Sequence, residues 1–154
     1  SCMLATPLQM ALVAAAIANG GKEPVPHLVA KVEKPGGGTV LTVHPHTWRQ
    51  ATKPQTAAAI KDMMVQVVER GTGTAAQIPG VQVAGKTGTA EICNCNYYDA
   101  WFIFFAPADH PVVAGAVLVE HQLNGFGGAV AAPIAKQIMQ AILPQTSNSS
   151  TNGH

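Results

Sequence analysis

At 154 residues the chain is long enough to bury a core as one domain or as part of one. Nine lysines and arginines meet eight acids, a balance that leaves no electrostatic footprint for nucleic acid or for an anionic membrane surface. No run of about 20 apolar residues is present to cross a bilayer, no basic segment precedes an apolar one as in a leader, and three cysteines do not make a disulfide framework.

The chain begins without methionine and almost at once enters a helix, which reads as a piece of a longer protein. Thr6-Pro7-Leu8-Gln9 predicts the helix start. Thr6 can cap, Pro7 suits the first helical position, and Gln9 completes a capping box. The helix is expected to run to about Asn19, where Gly20-Gly21 stops it. Leu8, Met10, Leu12, Val13 and Ile17 point all round it, the pattern of a helix buried in a core.

Pro24 and Pro26 mark a loop. His27–Glu33 and Thr39–Val43 predict two short strands, with Lys34-Pro35-Gly36-Gly37-Gly38 as the turn of a small accessory hairpin. His44 and His46 flank Pro45 without an acidic partner, so they read as solvated loop rather than metal ligands. Thr52-Lys53-Pro54-Gln55 repeats the capping-box pattern and opens a helix to Arg70, stopped by Gly71. Its apolar stripe is Ala57, Ile60, Met64, Val67 and Val68. Gly71-Thr72-Gly73-Thr74-Ala75-Ala76 then reads as a flexible glycine-rich connection.

The stretch from Val81 to Glu91 organises the rest. Val81 and Val83 alternate with Gln82 as in a strand. Gly85 and Gly88 bracket Lys86 and leave the backbone open to close approach. Thr87 and Thr89 lie two apart, so on a strand both hydroxyls share a side. A lysine, two hydroxyls and bare N–H groups suit a substrate bearing a carboxylate and a carbonyl. Gly80 to Thr87 also fits G-x-x-x-x-G-K-[ST], a phosphate-binding loop, but that motif needs a helix opening at the lysine. Here the residues before Lys86 alternate like a strand, and those beyond it, through Cys93-Asn94-Cys95-Asn96, read as loop. Lys86-Thr87-Gly88 matches the K-T-G element of serine acyl-transferases that react with penicillin. Cys93 and Cys95 have no second pair to make a zinc site with.

Ala100–Ala106 and Val112–Glu120 predict a hairpin of two largely buried strands around Pro107-Ala108-Asp109-His110-Pro111. A last helix is expected over Ala129–Leu143, with Pro133 in its first turn and Val130, Ile134, Ile138, Ala141 and Ile142 as its buried face. From Pro144 the chain reads as a disordered polar tail. Helices on the faces of an antiparallel sheet predict an α+β domain over 1–143, with the tail over 144–154.

Several stretches in this order and spacing resemble a known family. They are Ala5-Thr6-Pro7-Leu8-Gln9-Met10-Ala11, Ala18-Asn19-Gly20-Gly21, and Val67-Val68 through Gly71-Thr72-Gly73-Thr74-Ala75. They continue with Ala84-Gly85-Lys86-Thr87-Gly88-Thr89-Ala90, Ala100-Trp101-Phe102, Ala106-Pro107-Ala108, Gly127-Gly128 and Ala131-Ala132-Pro133. Together they resemble the C-terminal half of a penicillin-binding protein transpeptidase domain, of the class B or bifunctional kind. The resemblance implies part of a β-lactamase/transpeptidase-like fold and a D,D-transpeptidase that cross-links peptidoglycan through D-Ala-D-Ala stem peptides. It implies that Lys86 helps hold the substrate carboxylate and supports proton movement. Thr87 and Thr89 would hydrogen-bond that carboxylate, the Thr89 N–H would serve an oxyanion, and Gly85 and Gly88 would line the substrate. No cofactor and no metal are implied. The partners implied are the stem peptide, β-lactams and the N-terminal half of the same domain. The location implied is the extracytoplasmic face of the bacterial inner membrane, with the anchor in that other part.

One departure is large. The family needs S-x-x-K and then S-x-N. Ser1, Ser147, Ser149 and Ser150 have no lysine three residues on, and Ser150-Thr151-Asn152 follows K-T-G instead of preceding it. Both elements are expected upstream of Ser1, so the parent is expected to be an enzyme and this piece alone inactive. A β-lactamase or penicillin-sensing domain, and a non-catalytic binding module on the same fold, are the alternatives.

Overall fold

The computed structural model describes residues 4–92 and 97–143, so Cys93, Cys95 and the tail from Pro144 lie outside the described residues. The first helix, α1, spans Pro7–Ala18. Its capping box forms as the sequence predicts: Gln9 N–H donates to Thr6 Oγ1 at 3.2 Å, and Thr6 N–H donates to Gln9 Oε1 at 2.8 Å. Gly20 and Gly21 follow with φ of +62° and +86°, and the Gly21 N–H closes the helix on Ala16 O. Burial differs from the expectation of a helix covered all round. Ala14 and Ala16 are buried, whereas Leu8 and Val13 stay 58% and 45% exposed. Helix α1 packs on the strands of the sheet, on the chain that follows it and on the second helix, and Leu8 and Val13 stay largely outside those contacts.

Residues 22–50 form an excursion of two short antiparallel ribbons. One pairs β1, Lys22–Pro24, with β4, Thr47–Gln50, and the other pairs β2, Lys31–Glu33, with β3, Thr39–Thr42. The inner pair β2–β3 is the accessory hairpin, shorter than the sequence suggests. The outer pair corrects the reading of Pro24 as loop. Arg49 Nε donates to Glu23 Oε2 at 2.7 Å, and this pairing of residues 26 apart holds β1 to β4.

The second helix, α2, spans Pro54–Arg70 and ends at Gly71 as expected, but its cap is Lys53 with no side-chain hydrogen bond. The capping box at Thr52 does not form. Thr52 is held in the preceding turn, where its N–H donates to Gly21 O at 3.3 Å and its carbonyl accepts from Gln50 Nε2 at 2.6 Å. A single 3₁₀ turn, Thr74–Ala76, follows.

The central sheet has three antiparallel strands in the order β5, β6, β7, spanning Ala84–Glu91, Tyr97–Ala106 and Val113–Leu123. The K-T-G stretch past Lys86 is therefore strand, not the loop its small polar residues suggest. Strand β6 alternates between two cores. Phe102 and Phe104 point toward the third helix, α3 (Ala131–Ile142), and join Val68, Ala132, Ala135 and Met139. Ile103 and Phe105 point the other way, to Ala14 of α1 and Met64 and Val65 of α2. The result is an α+β arrangement of helix, sheet and two helices.

The buried face of α3 is also corrected. Ala131, Ala132, Ala135 and Met139 face the sheet, while Ile134 and Ile138 are each 39% exposed and Ile142 is 54% exposed. The rings of Phe102 and Phe104 already fill much of the sheet surface, and the α3 face that packs on them is alanine apart from Met139.

Candidate active site

Strand β5 lies at the edge of the sheet, paired with β6 alone among the described residues. Its register sets Lys86 opposite Ile103, Thr87 opposite Phe102 and Gly88 opposite Trp101. In an antiparallel ladder alternate residues turn their N–H and C=O away from the partner strand, so an edge strand holds out unused backbone groups. The K-T-G run presents such an edge to solvent.

Alternation divides the side chains between two faces. Lys86 and Gly88 face the α1 side, where a cleft of about 250 Å³ is lined by Ala5, Met10, Lys86, Thr87, Gly88, Trp101 and Ile103. Thr87 and Thr89 share the opposite face, as the two-residue spacing predicts. Lys86 curls over the edge, and its Nζ donates to the Thr87 carbonyl at 2.7 Å. No carboxylate of the described residues forms an ion pair with it. Lysine, hydroxyls and bare backbone thus meet along one edge, and the ammonium charge remains available to an anionic guest.

Gly85 departs from its expected place at the substrate. It is buried, and a Cβ there would lie 2.3 Å from the Phe102 ring. Its missing side chain makes room for the core rather than the cleft. Gly88 stays beside Lys86, and its backbone is covered by Gly127 of the loop between β7 and α3. A Cβ on Gly127 would stand 2.4 Å from Gly88 O and 2.3 Å from Trp101 O.

Residues that the motif alone does not single out complete the site. Thr72 Oγ1 lies 2.6 Å from Thr87 Oγ1, which ties the glycine-rich connection to the K-T-G strand. The Gly127 N–H donates to Thr89 Oγ1 at 3.4 Å. Thr72 and Gly127 sit in stretches whose glycines were visible in the sequence, but their partners across the fold were not. Met10 and Trp101 line the cleft as apolar walls. Two larger hollows, about 490 and 660 Å³, lie elsewhere and are lined by neither Lys86 nor the two threonines. Convergent donors, not size, mark the candidate site. The phosphate-loop alternative fails on its context: Lys86 is the third residue of a strand, and no helix opens there. Among the described residues no cluster of ligands could hold a metal ion.

The model of the penicillin binding protein transpeptidase domain matches residues 2–140. The peptidoglycan D,D-transpeptidase PbpA of Mycolicibacterium smegmatis is 45% identical over 148 residues, covering 92% of this chain and 30% of that protein. Stage V sporulation protein D of Bacillus subtilis is 34% identical, covering 91% of this chain and 23% of its own length. Penicillin-binding protein A from M. tuberculosis, solved as a ceftriaxone acyl-enzyme complex, superposes with a TM-score of 0.84 at 43% identity. That match covers 90% of this chain and 32% of the solved one. The chain therefore spans between about a quarter and a third of the length of these relatives.

Proposed function

This chain belongs to the penicillin-binding protein transpeptidase family, and from that premise we propose that it carries the substrate-carboxylate strand of a peptidoglycan D,D-transpeptidase. The observation behind this reading is the open edge of β5, where, among the described residues, an ammonium without an ion-pair partner reaches the Thr87 carbonyl and two hydroxyls two residues apart line the neighbouring face. A terminal D-Ala-D-Ala carboxylate is an anion of matching size, and a penicillin carries a carboxylate in a comparable place relative to its reactive carbonyl.

In the proposed reaction a serine oxygen attacks the carbonyl of the penultimate D-Ala. The negative charge that develops on the carbonyl oxygen is held by backbone N–H donors, the Thr89 N–H among them. The C–N bond breaks, and D-Ala leaves with the proton taken from the serine. The amine of a second stem peptide then attacks the ester, the acyl–oxygen bond breaks as the new amide forms, and the serine oxygen takes the proton that the amine gives up. Lys86 and the Thr87 and Thr89 hydroxyls hold the carboxylate, and Lys86 supports proton movement in the cleft. The loss of one oxyanion donor in such enzymes costs ~10²–10³ in turnover.

Neither S-x-x-K nor an S-x-N preceding K-T-G occurs in these 154 residues. The nucleophile is accordingly assigned to residues outside them, and this stretch alone is expected to be inactive. No helix among the described residues is long and apolar enough to cross a membrane. The proposed site of action is the extracytoplasmic face of the inner membrane, where the cross-linking reaction takes place.

The test uses the polypeptide of the full reading frame that contains this chain. Incubation with a fluorescent penicillin, denaturation and electrophoresis should give a covalent band that excess unlabelled penicillin removes. A folded protein that stays unlabelled would point instead to a non-catalytic binding module.

A further inference from the structure

We propose that Thr72 is a positioning residue that sets the direction of the Thr87 hydroxyl and thereby tunes the site for ligands bearing a free carboxylate. The inference rests on the reading of the site given above and extends it to a residue outside the K-T-G strand.

The contact is short and its surroundings are fixed. Thr72 Oγ1 and Thr87 Oγ1 are 2.6 Å apart, well within hydroxyl–hydroxyl hydrogen-bond range. Thr72 stands between two glycines that pack closely on their neighbours. The N–H groups of Gly71 and Gly73 both donate to Val67 O, at 3.1 and 2.9 Å. A Cβ at Gly71 would meet the Val67 backbone at 2.9 Å, and one at Gly73 would meet the Phe102 ring at 3.1 Å. On the other side Gly128 presses against the Thr72 carbonyl, where a Cβ would lie only 2.0 Å away. The end of α2, the core ring under β5 and the loop before α3 thus hold Thr72 from three directions. A bond between two exposed hydroxyls is ordinarily soft, but here one partner is locked.

Hydroxyl chemistry gives the lock a direction. Each hydroxyl has one hydrogen to donate and two lone pairs to accept with. When Thr87 donates its hydrogen to a carboxylate, the bond to Thr72 persists only with Thr72 as donor and Thr87 as acceptor. Thr72 then holds the Thr87 side chain in one rotamer and leaves its hydrogen to the guest. A hydroxyl that accepts while it donates is also polarised into a better donor. Without Thr72, the Thr87 hydroxyl must be oriented by the ligand itself, at a cost in affinity.

The prediction is selective. In the full-reading-frame protein, acylation rates would be measured with benzylpenicillin and with its methyl ester, which keeps the reactive ring but lacks the anion. Thr72→Val should slow acylation by the free acid roughly tenfold, the worth of about one hydrogen bond, and leave the ester rate unchanged. Thr72→Ser, which restores a hydroxyl, should recover the free-acid rate. In a Thr87→Val background, Thr72→Val should have no further effect. Equal slowing of acid and ester would mark a purely structural role and overturn the proposal, as would an unchanged free-acid rate in Thr72→Val. A wild-type protein that reacts with neither ligand would bring down the reading of the site itself, and this inference with it.

Discussion

Gly85 and Phe102 interlock across the β5–β6 pair: the bare Cα of Gly85 lies where the Phe102 ring passes, and a methyl group there would stand 2.3 Å from the ring. The fully buried Phe102 belongs to the core between the sheet and α3. The strand that carries the candidate site is thus anchored from beneath by a ring, one residue away from Lys86.

Gly85→Ala is therefore expected to act as overpacking. Forcing a methyl group into such a contact costs about 1–3 kcal/mol. Thermal or urea unfolding of the full-reading-frame protein would read this, and Phe102→Leu in the same molecule should recover part of the loss. A Gly85→Ala protein as stable as the wild type would contradict the interlock.

Gly127→Ala should impair both reaction and stability. Its Cβ would collide with the carbonyls of Gly88 and Trp101, so the loop before α3 must lift from the K-T-G strand and release the Thr89 hydroxyl. Penicillin acylation should fall by an order of magnitude or more, and the melting temperature should drop as well, because Gly127 is buried and its carbonyl accepts from the Ala131 and Ala132 N–H groups at the start of α3. Gly36→Ala, in a turn where a Cβ meets nothing within 4 Å, is the matched control and should be silent.

The two helix starts make opposite predictions from similar sequences. Thr6→Ala removes a formed cap and should cost about 1 kcal/mol. Thr52→Ala removes no cap bond and should cost a few tenths of a kcal/mol at most, as surface substitutions away from special features do. Unfolding midpoints of the two variants, measured side by side, would separate them. Equal losses would mean that Thr52 caps α2 after all.

The 154-residue chain studied by itself should behave as an incompletely covered fold. Leu8 and Val13 on α1, Leu123 at the end of β7 and Ile142 on α3 are all exposed by 45% or more. Binding of a hydrophobic dye in the native state and a broad thermal transition are expected. A sharp two-state transition of a monomer without dye binding would argue that the covered side of each element suffices.

How legible the fold was depends on how local each signal is. The Thr6–Gln9 cap, the stop at Gly71 and the proline-bounded β6–β7 turn rest on contacts within a few residues, and the sequence displays them. The β1–β4 ribbon depends on Glu23 meeting Arg49, which no short window shows. The face of α3 was misread because hydrophobicity favours the isoleucines, whereas close approach to Phe102 and Phe104 favours the alanines. Thr52 matched a cap motif but was claimed by Gly21 and Gln50. At the site, Lys86, Thr87 and Thr89 were legible from K-T-G and two-residue alternation. Gly85 was visible but its role was not, since only the register that sets Thr87 across from Phe102 shows which ring needs the space. Thr72 was hidden because its partner lies 15 residues on and across the fold.

The edge of β5 is proposed to hold the carboxylate of the substrate. The most direct test is a crystal structure of the full-reading-frame protein acylated by benzylpenicillin. The account predicts the ligand carboxylate within hydrogen-bond distance of the Thr87 and Thr89 hydroxyls, about 2.5–3.0 Å, with Lys86 Nζ turned from the Thr87 carbonyl toward the anion. A carboxylate seated elsewhere in an otherwise ordered adduct, with Lys86 still on the Thr87 carbonyl, would contradict it.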